Sequence, residues 1–236
     1  VWKSDGWPMI GVDQNNDGIG EPVSEYSKPN IGKTYPVKNP QTSDEFNGEK
    51  LGLQWQWHAN CQPEWYSFID GKIRLNAVKN ITQNGNFWFV PNLLMQKFPA
   101  PEFTATTRVS FHPELNGEQC GLVVMGEKWS YISLFKKNDS LFIRTFEGMF
   151  DRCDEAGIQT DLVIAEVPEC FLKVQVKEGG ICQFSFSYDN VKYIEMGKPF
   201  KASKGRWIGA KTGIFCINPN MKESNGFATF DWFRVE

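Results

Sequence analysis

The sequence predicts an all-β protein: a two-sheet antiparallel β-sandwich of jelly-roll type, with a short N-terminal hairpin and a linker in front of it. Three observations lead there. No segment keeps a helical period over three turns. Short runs instead alternate at period two and are punctuated by Gly, Pro, Asn and Asp. Aromatic residues are abundant, with 9 Trp and 19 Phe, and such side chains favour strands.

Taken in chain order, "DGWPMIGVD" and "GEPVSEY" read as two strands around "QNNDGI". The Pro- and Lys-containing "SKPNIGKTYPVKNPQTS" reads as a linker, which puts a boundary near residue 43 and divides the chain into 1–43 and 44–236. The loop "DQNNDGIGE" also matches the start of a D-x-N-x-D-G calcium loop, with Asp13, Asn15 and Asp17 at the alternating ligand positions. Ser24 stands where an EF-hand needs its twelfth-position Glu, and a turn built from Asn, Asp and Gly explains the same composition without metal.

After the linker the strand-like runs are Leu51–His58, Lys72–Ala77, Phe103–His112, Cys120–Gly126, Ser130–Lys136, Ser140–Phe146, Cys170–Lys177, Ile181–Tyr188, Lys192–Phe200, Trp207–Ile217 and Ala228–Val235. In the first, "LGLQWQWHAN", strict alternation puts Leu51, Leu53, Trp55 and Trp57 on one face and Gln54, Gln56 and His58 on the other. The two leucines mark the tryptophan side as core. In "FTATTRVSF", Phe103, Ala105, Thr107, Val109 and Phe111 oppose Thr104, Thr106, Arg108 and Ser110. In "ICQFSFSY", Phe184 and Phe186 oppose Gln183 and Ser185. These polar faces are poor in Lys, and planar amide, imidazole and guanidinium groups there can hold sugar hydroxyls or a partner domain. In "NITQNGNFWFVPN" the consecutive Phe87, Trp88 and Phe89 cannot all face one way, so a ring is expected outside. The candidate carbohydrate-binding or domain-packing residues are therefore Gln54, Gln56, His58, Trp88 and Arg108.

Of 6 cysteines, Cys120, Cys182 and Cys216 sit within apolar strand-like segments, where cysteine behaves as a small buried hydrophobe. Cys61, Cys153 and Cys170 read as loop residues, which leaves open a single pair among them. No Cys/His cluster has zinc spacing. With 25 basic against 28 acidic residues and no basic run, nucleic acid and anionic membrane are poor partners. No apolar run approaches the roughly 18 residues that span a bilayer. The chain starts at Val1 rather than Met, which reads as a mature or truncated product.

Beginning at Asp44, "DEFNGEKLGLQWQWHANCQPEW", "LLMQKFPAPEFTATTRVSF", "CGLVVMGEKWSYISL", "GRWIGAKTGIFC" and "FDWFRVE" follow one another in an order that resembles the C-terminal module of glycoside hydrolase family 43 enzymes, the β-xylosidases and α-L-arabinofuranosidases. The resemblance covers residues 44–236 and implies a concanavalin A-like sandwich. "DGWPMIGVDQNNDGIGEP" resembles the closing strands of that family's catalytic β-propeller. It implies an accessory module, with a propeller in cis as partner, xylan or arabinoxylan as polysaccharide, and a secreted or periplasmic location. In the family a loop of the sandwich contributes to the substrate pocket, and the catalytic carboxyls lie on the propeller, so none is carried over to this chain. No cofactor is implied.

The residues themselves leave two other readings. Hydrolysis by inversion needs two carboxyls roughly 6.5–9.5 Å apart, one with a raised pKa. Most acidic side chains fall in turns: Asp139, Asp151, Asp154, Glu155, Asp161 and Asp189, with Glu127, Glu147 and Glu195 near strand ends. A self-contained hydrolase on a lectin-like sandwich would carry the strand motif E-x-D-x-x-E, which is absent. A purely structural domain is the remaining reading.

Overall fold

The computed structural model describes the chain except residues 1, 3, 5, 7, 10, 27–31, 80–85 and 151–156. Part of the linker, Cys153 and the loop acids Asp151, Asp154 and Glu155 lie outside the described residues. By contacts the chain forms two units, Val1–Asn39 and Pro40–Glu236. In the first, the expected hairpin reduces to isolated bridges, Trp2 with Pro8 and Val12 with Glu21. Val12 and Glu21 exchange both backbone hydrogen bonds, at 3.0 and 2.9 Å.

The second unit is the sandwich. Its strands are β1 (Gln56–Trp57), β2 (Tyr66–Ile69), β3 (Lys72–Asn76), β4 (Val78–Lys79), β5 (Leu94–Lys97), β6 (Phe103–His112), β7 (Gln119–Met125), β8 (Lys128–Lys137), β9 (Ser140–Met149), β10 (Ile158–Ile164), β11 (Glu169–Lys177), β12 (Ile181–Ser187), β13 (Ile194–Lys201), β14 (Lys211–Asn218) and β15 (Phe227–Val235). One sheet runs β13-β12-β11-β6-β15-β3-β2. The other runs β1-β5-β14-β7-β8-β9-β10, with β4 added to β14. The β4 pairing is parallel, and the pairings along both sheet paths are antiparallel. No helix among the described residues is long and apolar enough to cross a membrane.

The core fills the space between the sheets. Leu75, Val109, Leu172, Phe184, Phe186 and Phe230 from the first meet Leu94, Leu122, Ile132, Ile143 and Ile214 from the second. In β6 and β12 the phenylalanines lie on the inner side as alternation requires, and Arg108 and Gln183 point outward, half-buried. The second sheet is different. All of β7 is buried, as is β14 after its first residue, because a second apolar cluster covers the sheet's outer side: Phe87, Val90, Leu93, Met95, Val123, Met125, Trp129, Tyr131, Phe215 and Ile217. A strand buried on both faces loses its polar alternation and reads as a continuous apolar run. This is why "LMQK" (β5) is not legible as a strand in the sequence. β2, β4 and β10 are the other strands beyond those expected, β10 being interrupted by a bulge between Gln159 and Asp161.

The stretch Leu51–His58 corrects the sequence reading. Only Gln56–Trp57 pairs, with Met95 and Leu94. Residues 52–55 form a turn in which the Trp55 amide donates to the Gly52 carbonyl at 3.1 Å. The cause is Asp44, whose Oδ2 accepts from the Trp55 indole at 2.8 Å and from the Gln54 amide at 3.4 Å. The turn throws Leu53 into solvent, 106% exposed, although alternation put it in the core. Trp55 is core as expected, 5.8 Å from Phe46 and 5.1 Å from Phe233. Trp57 packs half-buried against Trp65 and Tyr66.

Cys120, Cys170, Cys182 and Cys216 are buried free thiols, and Cys61 is exposed and free. Cys170 thus belongs to the core rather than a loop, and no pair forms between it and Cys61. Burial raises the Cys182 thiol to about 12 and pushes the other three core thiols up as well. In native protein a thiol reagent is expected to label Cys61 and to reach these four only after denaturant is added. Labelling of all four at the rate of Cys61 would contradict their placement.

Candidate functional site

The outer cluster is built by residues 86–93, which fold over the second sheet. Buried Asn86 organises them: its Oδ1 accepts from the Trp88 amide (3.0 Å) and the Trp129 indole (3.2 Å), and its Nδ2 donates to the Met149 carbonyl (3.1 Å). A 3₁₀ turn, Phe87–Phe89, then splits the three rings. Phe87 drops into a box of Trp129, Tyr131 and Phe215, with centroids 5.5, 4.5 and 4.8 Å away. Trp88 stays half-buried, and Phe89 faces out as the sequence required of one ring. Part of the sheet's outer face is therefore filled by the chain's own side chains. Further along it, Arg144 donates to Gln119, which also accepts from Ser133, and its guanidinium lies 3.7 Å from the Phe135 ring centre.

Beside Trp88 lies a cleft of about 200 Å³ lined by His58, Trp88, Met125, Arg206, Trp207, Ile208 and Lys211, together with Gly126 and Gly205. His58 is anchored at both ends. Its amide donates to the Leu93 carbonyl at 2.9 Å, and its Nε2 lies 2.8 Å from the Trp88 carbonyl. A carbonyl only accepts, so Nε2 carries the hydrogen and the buried, unpartnered Nδ1 carries the lone pair of the neutral ring. Burial first, and the Lys211 charge second, hold this imidazole below the ordinary histidine range. Lys211 is itself lowered, chiefly by burial and then by Lys97. The opposite wall is the loop 203–210, closed by the Gly205 amide donating to the Ile208 carbonyl at 2.8 Å. It presents Trp207, 94% exposed. Arg206 lies over the Phe150 ring at 5.0 Å, and that ring is 4.9 Å from Trp88.

Of the candidate residues, the structure brings His58 and Trp88 together and leaves Gln56 close by on β1. Gln54 is drawn aside to Asp44. Arg108 is on the other sheet, so the five candidate residues do not share one surface. Its guanidinium donates to Glu169 and pairs with Asp231 at 2.9 Å, which also takes Lys72 at 2.8 Å. Replacing Arg108 by Ala is expected to cost stability by about 0.5–1 kcal/mol, since solvent screens this partly exposed network, and to leave the cleft unaffected. A loss several times larger in urea unfolding would give the pair a structural weight the geometry does not.

The Asp13 loop is held by its own amides. Asp13 Oδ2 accepts from Gly18 N–H at 2.9 Å and Asp17 Oδ1 from Ile19 N–H at 2.8 Å, while Asn15 donates to Asp17 at 3.1 Å. Among the described residues no group of three or more His, Cys, Asp or Glu is arranged to hold a metal ion. Among the described residues, the two carboxyls with displaced pKa, Glu45 and Asp189, both move down, away from what a general acid needs. Glu45 is lowered chiefly by the Arg234 hydrogen bond. Asp189 is lowered to about 2 by the backbone N–H groups of Lys192 and Val191 and then by Ser187.

Residues 43–236 match the profile of the β-xylosidase C-terminal concanavalin A-like domain of glycoside hydrolase family 43. The chain belongs to this family. It is 28% identical to a β-xylosidase of Formosa agariphila over 98% of this chain and 41% of that protein. It is 31% identical to a putative β-xylosidase of Xylanibacter ruminicola over 90% and 37%. With a non-reducing end α-L-arabinofuranosidase of Bacteroides ovatus it shares 25% over 99% and 43%. The chain thus spans less than half the length of these relatives. The fold matches a family 43 protein of Bacillus licheniformis, with a TM-score of 0.70 at 24% identity over 100% of this chain and 45% of that one. It also matches a xylan β-1,4-xylosidase of Bacillus halodurans, at 0.69 and 18% over the same shares.

Sequence reasoning missed Arg206, Trp207 and Lys211. The expected strand Trp207–Ile217 takes in "WIGA", whereas β14 begins at Lys211. A tryptophan flanked by Gly205 and Gly209 was the available signal for an aromatic loop.

Proposed function

We propose that this chain is the accessory sandwich of a family 43 glycoside hydrolase acting on xylan or arabinoxylan, and that it contacts the polysaccharide at the Trp88–Trp207 cleft. On this reading residues 1–43 are the closing strands of a catalytic propeller plus the linker, and the rest of that propeller lies in cis. The observation that carries the binding role is the cleft: two indoles, one almost wholly exposed, beside an imidazole and two cations. Indole faces stack on sugar rings, and cationic and imidazole groups bond to hydroxyls. Each hydrogen bond nets only about 0.5–1.5 kcal/mol, so binding by the chain alone is expected to be weak, with Kd on the order of millimolar to tens of micromolar.

Affinity electrophoresis in soluble xylan is expected to retard the chain, with retardation lost in Trp207→Ala. The same protein is expected not to hydrolyse aryl β-xylosides or aryl α-arabinofuranosides. An unretarded chain would overturn the binding role, and turnover at ordinary enzymatic rates would overturn the accessory role. The exposure of Trp207 also favours a second reading, packing on the catalytic domain. In that case Trp207→Ala would leave retardation unchanged and lower the activity of the longer enzyme.

A further inference from the structure

The charge of the cleft is one-sided. Arg206 and Lys211 line it, and no carboxylate does among the described residues. Neither cation has an ion-pair partner among the described residues. Lys211 is paired in register with Lys97 on β5, so two cationic side chains stand on adjacent strands, and the Lys97 charge acts on Lys211. Like charges placed cross-strand oppose folding, and the half-buried member pays in lost hydration. Neutral sugar hydroxyls relieve little of this, whereas an anion relieves both costs at once. Hydrogen bonds from a cation to a carboxylate are roughly twice as strong as neutral ones. The walls add the second requirement, a flat apolar surface, supplied by Trp207 and Trp88.

We propose that the cleft selects a uronosyl residue: a pyranose whose carbon face lies on the Trp207 indole while its carboxylate is taken by Lys211 and Arg206. The inference rests on the cleft being the polysaccharide contact and narrows its ligand to the acidic sugars of a branched polymer. Chain length fits a single sugar, since about 200 Å³ holds one ring and its substituent.

The test is titration of the 236-residue chain with methyl β-D-glucuronoside and, as the neutral control, methyl β-D-glucoside, followed by tryptophan fluorescence. The glucuronoside is expected to bind about tenfold more tightly at low salt, with the advantage shrinking as about 0.5 M salt screens the pair. Lys211→Met keeps the apolar stem and is expected to weaken the glucuronoside far more than the glucoside, so that the preference is lost. Trp207→Ala, at a position too exposed to disturb folding, is expected to weaken both sugars. Equal affinity for the two glycosides would overturn the uronosyl assignment and leave the broader polysaccharide reading intact. No binding of either, together with no retardation in xylan, would overturn both. If the longer enzyme ignores the glucuronoside that the chain binds, the occupant is a carboxylate of the neighbouring domain, and the assignment also falls.

Discussion

Phe87→Ala is expected to cost about 3–5 kcal/mol, the range for removing a buried aromatic ring, and to loosen the whole outer cover of the second sheet. Phe87 is 2% exposed, and its ring is the piece shared by Trp129, Tyr131 and Phe215. Trp129 and Tyr131 form a nearly parallel ladder with Phe146, the three ring planes lying within 6° of one another, and Phe215 meets Tyr131 edge-on at 67°. The ladder is fixed to the sheet and cannot collapse into the space, so a cavity remains. Urea unfolding gives the energy, and dye binding reports the exposed apolar face. Because Trp88 is carried on the same turn, retardation in xylan is expected to fall as well. Phe89→Ala, at the 44% exposed end of that turn, is the control and is expected to change stability by no more than about 0.5 kcal/mol. Similar effects for the two rings would show that the segment does not bear on the sheet as described.

Gly121→Ala is expected to be strongly destabilising for a single methyl group, at or above the top of the roughly 1–3 kcal/mol typical of overpacking. A Cβ at this position would stand 2.0 Å from the Ile132 carbonyl oxygen and 2.7 Å from Ser133 Cα. Both are backbone atoms of β8, so no side chain can turn aside, and β7 must part from β8. Gly121 is also paired with Phe215 on the other side, which fixes it between two buried strands. Gly48→Ala is the matched control, because its Cβ would make an ordinary contact, 3.6 Å from the Lys50 carbonyl oxygen. Thermal unfolding of the two variants should separate them by many degrees. Equal midpoints would show that β7 has slack the packing does not reveal.

The two sheets differ in how much of them could be read in advance. β6 and β12 face the core on one side and water on the other, so alternation alone identifies their inner residues. In β5, β7 and β14 both faces are apolar because residues 86–93 cover the outside, and period two carries no signal there. "LGLQWQWHAN" shows the opposite failure. Its alternation is real in sequence but is not the pattern of a strand, because Asp44 draws Gln54 and Trp55 into a turn. Trp55 still reaches the core, since a large indole contributes the same apolar area from a turn as from a strand.

The candidate site was legible only in part. His58 and Trp88 meet because β1 lies against the segment leading into β5, yet Arg108 was grouped with them on polarity alone. Its partners, Glu169 and Asp231, are set by β6 pairing with β11 and β15, and Arg206 and Lys211 come to the cleft through β14. The sequence by itself determined the all-β sandwich, the inner faces of its one-sided strands, and the burial of Trp55, Cys120, Cys182 and Cys216, because hydrophobic burial depends on composition and local period. Only the tertiary structure decided which polar side chains gather at one cleft and which neutralise each other elsewhere. Those outcomes depend on register between strands far apart in the chain, and a shift of one residue reverses every side chain.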